Sequence, residues 1–172
     1  MPAIRHGFAD SPLPTIVVVD SSFVFEALVD SGQGRHAAAR AFADRLRAAN
    51  SLILYSSLIF LEAPQCWRRL YKRGLLVPAQ RGLDLATDRM NAFTEANAKL
   101  EQFLAAFNRH RVNITQSLMQ SASKFVASYD LNSHDALIVA VLRDFSVSSL
   151  VAIDRDFRLV APLQLWDGLL IP

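Results

Sequence analysis

The chain lacks the features of a secreted, membrane-spanning or disordered protein. Its single cysteine, Cys66, cannot form an internal disulfide. Its longest apolar runs, such as residues 136–142, are far shorter than the about 20 residues that cross a bilayer. The first residues contain no apolar stretch of the signal-peptide kind, and we find no repeat, low-complexity segment or long linker. We therefore expect a soluble, cytoplasmic protein without a membrane partner.

The chain also lacks a strong excess of charge of either sign. It has 18 lysines and arginines against 16 acidic residues, a formal net charge of +2 and a pI of about 9.0. This mildly basic balance permits a nucleic-acid substrate, but it is equally typical of an ordinary protein surface. With 172 residues, of which 52% are hydrophobic and 20% charged, the chain has the composition of one globular domain with its own core.

Apolar, β-branched runs alternate with helix-like segments along the chain. We predict four buried strands and a fifth shorter one, at residues 16–19, 52–55, 112–114, 150–153 and 163–165. We predict helices at residues 23–29, 36–49, from 58 onward, 83–107, 116–129 and 134–145. Strands that alternate with helices indicate an α/β sandwich around a mostly parallel sheet.

Prolines, glycines and polar caps mark the boundaries of these elements. Residues 1–14 are expected to be a loose N-terminal lead-in because Pro12 and Pro14 discourage regular structure, which leaves 15–172 as a single domain. A serine, Ser21 or Ser22, is predicted to cap the first helix. Asn132 and Ser133 are predicted to cap the last one. Gly74, Pro78 and Gly82 indicate a loop.

Two predicted strands are followed by an aspartate. Asp20 comes directly after Val17–Val19, and Asp154 comes directly after residues 150–153, with Asp156 two residues further on. The carboxyl ends of parallel strands meet at one edge of a sheet, where open α/β proteins bind ligands. Each residue alone is also typical of a turn or a helix cap, so the recurrence favours a shared site.

Two further acids lie in apolar surroundings. Asp135 begins a helix that is apolar on every face, and a charge beside a buried core needs a partner or a metal. The alternative is a favourable interaction with the helix dipole. Glu62 lies in a mainly apolar stretch, and on its own it is typical of a glutamate at the edge of a core. No histidine or cysteine cluster accompanies these acids, so oxygen ligation favours Mg²⁺ or Mn²⁺ over zinc.

Four segments that contain these acids, in the same order, resemble the motifs of PIN-domain ribonucleases and, within them, the VapC-like toxins of type II toxin–antitoxin systems. The segments are residues 17–22, 57–62, 131–138 and 150–157. The resemblance covers about residues 15–166. It departs from the family at Ala152, where Thr or Ser is usual and could support the site with a hydroxyl, and residues 74–83 match no family motif.

The resemblance implies a three-layer α/β/α sandwich with four to five strands and a Mg²⁺- or Mn²⁺-dependent endoribonuclease activity. It also implies an RNA substrate, a cognate antitoxin and a homodimer. The residues implied as catalytic and as ligands of one or two metal ions are Asp20, Glu62, Asp135 and Asp154, with Asp156 as an additional ligand and Ser21 as a group that orients a ligand.

A cluster of basic residues follows Glu62 on the same predicted helix: Arg68, Arg69, Lys72 and Arg73. Residues 69 and 73 share one helical face, as do 68 and 72. A solvated helix C-terminus favours cations without any ligand. Our hypothesis is that the cluster contacts RNA phosphates.

Three other functions compete with this interpretation. The sequence Asp154–Asp156 suggests a haloacid-dehalogenase-like phosphatase, but that motif belongs after the first strand and here follows the fourth. A receiver domain would have a second acid beside Asp20 and a lysine after the last strands, and this chain has neither. The remaining alternative is a catalytically weak or inactive PIN-like protein that acts through a protein or RNA partner. Ala152 favours it and the presence of all four acids opposes it.

Overall fold

The central feature of the computed structural model, which describes residues 2–30, 34–72 and 89–167, is a six-stranded sheet with helices on both faces. The strands are β1 (Ile4–His6), β2 (Ile16–Val19), β3 (Leu52–Ser56), β4 (Asn108–Val112), β5 (Ser149–Val151) and β6 (Gln164–Trp166). The helices in this part of the chain are α1 (Ser21–Leu28), α2 (His36–Ala48), α3 (Ile59–Lys72), α4 (Arg89–Ala105), α5 (Gln116–Tyr129) and α6 (Ser133–Asp144), with a 3₁₀ turn at Asp156–Leu159.

The sheet is parallel throughout, in the order β1-β6-β5-β2-β3-β4. Its central strand β2 is apolar on both faces because each face meets a helical layer. Val17 and Val19 pack into an apolar cluster with α1, α2, α3 and α4, whereas Val18 packs into a second cluster with α5 and α6. The predicted three-layer α/β/α sandwich around a parallel sheet is confirmed.

The parallel arrangement places the carboxyl ends of β2, β3 and β5 at one edge of the sheet. After each of these strands the chain turns immediately toward a helix or a 3₁₀ turn. Asp20 follows the last residue of β2, Ser57 follows β3, and Asp154 lies three residues beyond β5. This edge is where the predicted acidic residues gather.

Strand β1 corrects the prediction for residues 1–14, of which three form an edge strand and not a loose lead-in. Ile4–His6 pairs with β6, so the sheet has six strands where four to five were expected. The strand has only three residues, and Ile4 is exposed, so no buried apolar run marks it in the sequence. Pro12 and Pro14 do lie outside regular structure.

The opposite edge strand was also misplaced by the prediction. Residues 112–114 were expected to form it, but β4 spans Asn108–Val112 and pairs with β3 along its whole length. Four of its five residues are exposed polar or basic residues, and only Val112 is buried. An edge strand that faces water needs no apolar alternation, so its sequence gives no strand signal.

Other boundaries differ by a few residues, and some predictions lie outside the described part. Helix α5 has the predicted bounds, while α4 is described from Arg89 onward. The loop at Gly74, Pro78 and Gly82 lies outside the described residues. None of the helices that the structure describes is long and apolar enough to cross a membrane.

Candidate active site

A cleft of about 540 Å³ opens at the carboxyl edge of the sheet. The start of α1, one face of α3, the start of α6 and the loop after β5 form its walls. All four acids singled out in the sequence line it: Asp20, Glu62, Asp135 and Asp154. The structure thus brings together side chains from four separate segments of the chain.

Asp20 is held at the junction of β2 and α1. Its carboxylate is the N-cap of α1, a position predicted for a serine, and its Oδ2 accepts hydrogen bonds from the backbone N of Ser22 at 2.9 Å and from the Ser22 hydroxyl at 2.5 Å. The same hydroxyl accepts a bond of 3.0 Å from the backbone N of Ile153. Ser22 therefore ties Asp20 to the segment that carries Asp154. Burial raises the pKa of Asp20, and the nearby charge of Glu62 adds to the effect.

Asp135 is buried in the first turn of α6. Asn132 caps this helix, as predicted, by accepting hydrogen bonds from the backbone N of His134 and of Asp135. The Asn132 amide also donates to Asp135 Oδ2 at 2.7 Å, which orients the carboxylate. Burial, followed by the charges of Asp20 and Asp154, raises the pKa of Asp135 to about 7. A carboxylate in this position is at high free energy unless a cation joins it.

Glu62 lies in the first turn of α3 and is partly buried. Its Oε1 lies 2.7 Å from Nδ1 of His134, the residue that precedes Asp135. The contact joins α3 to the start of α6 and fixes the direction of the Glu62 side chain toward the cleft.

The closest group of acidic oxygens differs from the predicted set of four. Asp135, Asp154 and Asp156 each offer a carboxylate oxygen, and these atoms lie within 4.8 Å of one another. Asp154 and Asp156 are exposed, and the backbone N of Asp156 donates to Asp154 Oδ1 at 3.3 Å. Asp156, predicted as an additional ligand, belongs to this tight group, whereas Asp20 and Glu62 line the cleft outside it.

The donor set fits a hard divalent cation. It consists of carboxylate oxygens. One of them belongs to Asp135, and burial together with the nearby negative charges raises the pKa of this residue to about 7. A bound cation would favour the ionised form of each acid and offset the repulsion among them. The assignment of these residues as metal ligands and catalytic groups stays a prediction.

The remaining predicted residues separate into those inside and those outside the cleft. Ser21 and Arg69 line it, whereas Arg68 is exposed and is not among its lining residues. The side chain of Lys72 and all of Arg73 lie outside the described part of the chain.

Three polar residues beside the acids were not predicted as part of the site: Ser22, Asn132 and His134. Each forms a hydrogen bond or close contact with one of the acids. The sequence pattern predicts Ser22 and Asn132 as helix caps. A side chain that orients an acid from two or three residues away in sequence uses the same residue types as a cap, so sequence alone does not separate the two roles.

Cys66 also lines the cleft. Burial raises the pKa of the Cys66 thiol to about 11. The protonated thiol is therefore favoured at neutral pH, which makes the sulfur a poor nucleophile.

Several solved structures share this fold at low sequence identity. VapC20 of Mycobacterium tuberculosis, a toxin that cleaves the sarcin–ricin loop, is 23% identical with a TM-score of 0.54, over 82% of this chain and 92% of its own. VapBC2 of Rickettsia felis, bound to a DNA fragment from its promoter, is 12% identical with a TM-score of 0.56, over 88% and 99%. FitAcB of Neisseria gonorrhoeae is 14% identical with a TM-score of 0.57, over 90% and 99%.

No family model and no curated protein matches the sequence. The likeness therefore concerns the fold, and the chain has the VapC-like PIN fold that its four motifs predict.

Proposed function

We propose that this protein is a divalent-metal-dependent endoribonuclease that hydrolyses RNA phosphodiester bonds as the toxin of a toxin–antitoxin pair. The observation that carries the proposal is the convergence of Asp20, Glu62, Asp135 and Asp154, from four segments of the chain, in one cleft. The fold it shares with a toxin that cleaves the sarcin–ricin loop supports RNA as the substrate class.

Mg²⁺ or Mn²⁺ is the cofactor that suits this cleft. Asp135, Asp154 and Asp156 would hold the cation, with Asp20 and Glu62 completing the anionic wall. When bound, the cation would supply positive charge for the phosphate oxygens and increase the acidity of a water molecule.

The contribution of the chain is to hold these carboxylates in place before the substrate arrives. Ser22 orients Asp20, Asn132 orients Asp135, and His134 contacts Glu62. Such preorganisation means that the groups need not rearrange at the moment of reaction.

The proposal includes two protein partners, an antitoxin and a second copy of this chain. The solved structures with the same fold include toxin–antitoxin proteins, which supports an antitoxin as partner. We also propose a homodimer. Sedimentation of the purified chain should then give twice the 19.1 kDa of one copy, and a value of one copy at micromolar concentration would contradict the dimer.

The deciding experiment compares two aspartates at opposite ends of α6. Purified protein is incubated with a panel of structured RNAs in Mg²⁺ or in EDTA. We expect cleavage in Mg²⁺ alone. Asp135→Asn should abolish it, whereas Asp144→Asn, at the exposed C-terminal end of the same helix, should leave it unchanged.

Three outcomes would contradict the proposal. Cleavage that persists in EDTA would show that the reaction does not require a divalent metal ion. Loss of cleavage in Asp135→Asn that accompanies a loss of folded protein in thermal melts would make Asp135 a structural residue. RNA binding by the unaltered protein without any cleavage would favour the alternative, an inactive PIN-like binding protein.

A further inference from the structure

Helix α3 presents a row of side chains to the cleft. Glu62, Gln65, Cys66 and Arg69 all line it, and their spacing of three and four residues places them on one helical face. With a rise of about 1.5 Å per residue, Arg69 lies about 10 Å beyond Glu62 along the helix. An acid thus stands at one end of the row and a cation at the other.

Arg69 carries a positive charge that nothing in the described part of the chain neutralises. It is exposed, and among residues 2–30, 34–72 and 89–167 it forms no ion pair or hydrogen bond. Glu62, the acid on the same face, is contacted instead by His134. Arg69 is also the only arginine or lysine among the described residues that line the cleft. Gln65, between Glu62 and Arg69, is exposed and offers an amide.

We propose that Arg69, with Gln65 beside it, forms a subsite for an RNA backbone phosphate that flanks the phosphodiester to be cut. The inference rests on the proposed function. A cleft lined by four acids repels a polyanion, so a substrate phosphate needs a cation that is present whether or not a metal ion is bound. The guanidinium stays charged at every working pH, and its planar fork matches two phosphate oxygens. The row on α3 would then align the strand from the acids toward Arg69.

The neighbouring arginine makes a matched control. Arg68 is exposed on the same helix and carries the same charge, but it does not line the cleft, so the phosphate contact hypothesised for the whole basic cluster is narrowed in this proposal to Arg69. Arg69→Gln and Arg68→Gln therefore remove the same net charge one residue apart. Both side chains are exposed, so both variants should melt at the temperature of the unaltered protein.

The first measurement is RNA binding. A fluorescein-labelled single-stranded RNA is titrated with protein in the Asp135→Asn background, which prevents turnover, at several salt concentrations. We expect Arg69→Gln to weaken binding about tenfold, as for a lost charge-assisted hydrogen bond. The slope of log K against log salt should fall by about 0.7, the value for one phosphate contact on a single strand. Arg68→Gln should change neither quantity by more than about twofold.

The second measurement uses protein with Asp135 intact and separates binding from chemistry. Arg69→Gln should raise KM and leave kcat nearly unchanged, because the subsite holds a phosphate that does not react. Equal effects of both arginine variants, or no effect of Arg69→Gln, would overturn the inference while cleavage itself still supported the proposed function. Absence of RNA binding by the unaltered protein would overturn both.

Discussion

At the scale of single residues, the site depends on side chains that orient the acids as well as on the acids themselves. Ser22 shows this most directly, since its hydroxyl donates to Asp20 and accepts from the backbone of Ile153, next to Asp154. One hydroxyl therefore links the ends of β2 and β5. Ser21, which the sequence pattern singled out, lines the cleft without these two contacts.

Ser22→Ala tests this link. Removal of the hydroxyl leaves the buried backbone N of Ile153 without its partner and takes one hydrogen bond from Asp20. We expect a loss of about 1–2 kcal/mol in the free energy of unfolding, measured by urea denaturation, together with a weaker apparent affinity for Mg²⁺ in the cleavage assay. Ser21→Ala is the control and should retain stability. Equal losses in both variants would contradict a specific role for Ser22.

Asp135 makes the stability of the metal-free protein depend on pH. Its pKa is about 7 in the folded state against an ordinary value of 3.8, so the folded state binds more protons than the unfolded state between these values. Stability should therefore fall as pH rises from about 4 to 7, with a slope of at most about 1.4 kcal/mol per pH unit from this residue.

Urea denaturation in EDTA at pH 5, 6 and 7 measures this dependence. Asp135→Asn should flatten the slope, because the asparagine does not titrate, and Asp144→Asn should not. If stability instead rose with pH in the unaltered protein and fell with pH in Asp135→Asn, the contribution of Asp135 would have the opposite sign. That result would refute a raised pKa for Asp135 in the folded state.

At the scale of elements, the sequence predicts best what is buried. Strands β2 and β3 are apolar on both faces, and the strands predicted at residues 16–19 and 52–55 match them to within one residue. The edge strands β1 and β4 did not follow, because exposed residues such as Arg109 and Arg111 carry no apolar pattern. The same difference applies to the site. The acids at the ends of buried strands could be predicted from the apolar runs before them. The close approach of Asp156 to Asp135 and Asp154 depends on the turn after β5, which no apolar periodicity predicts.

Strand β1 is fastened to the sheet by an ion pair that the sequence does not reveal. Arg5 donates to both oxygens of Asp167 at 3.0 and 3.1 Å, and Asp167 is fully buried at the end of β6. Arg158 lies 3.9 Å from the same carboxylate and gives weaker support. This ion pair therefore stabilises the pairing of β1 with β6, for which the three residues of β1 supply little apolar burial of their own.

Arg5→Met should destabilise the protein by about 2–3 kcal/mol, because the buried carboxylate of Asp167 loses its main cation. Arg47→Met breaks a pair with Asp44 that is exposed on both sides, and it should cost about 0.3 kcal/mol or less. Urea denaturation of both variants compares them directly. Adding Asp167→Asn to Arg5→Met should recover part of the loss, and a further loss would argue against the ion pair as the cause.

At the scale of the whole molecule, charge is distributed unevenly. Of the 16 acidic residues, five lie in or beside the cleft: Asp20, Glu62, Asp135, Asp154 and Asp156. The rest of the chain is therefore more basic than its net charge of +2 indicates. An excess of basic residues outside the cleft favours the approach of a polyanion, and the proposed reaction then requires a cation among the acids.

The concentration of acids in and beside the cleft predicts a link between metal binding and the stability of the fold. The acids repel one another in the folded state, and a cation that binds them there but not in the unfolded chain stabilises the fold by mass action, by about 2.7 kcal/mol at a concentration of 100 times Kd. For a domain of this size the melting temperature should rise by roughly 5–10 °C in Mg²⁺. Asp154→Asn should remove most of the rise and Asp144→Asn should keep it. Sodium chloride at matched ionic strength separates binding from screening, and an equal rise in sodium, or an undiminished rise in Asp154→Asn, would mean that the cleft does not hold the cation.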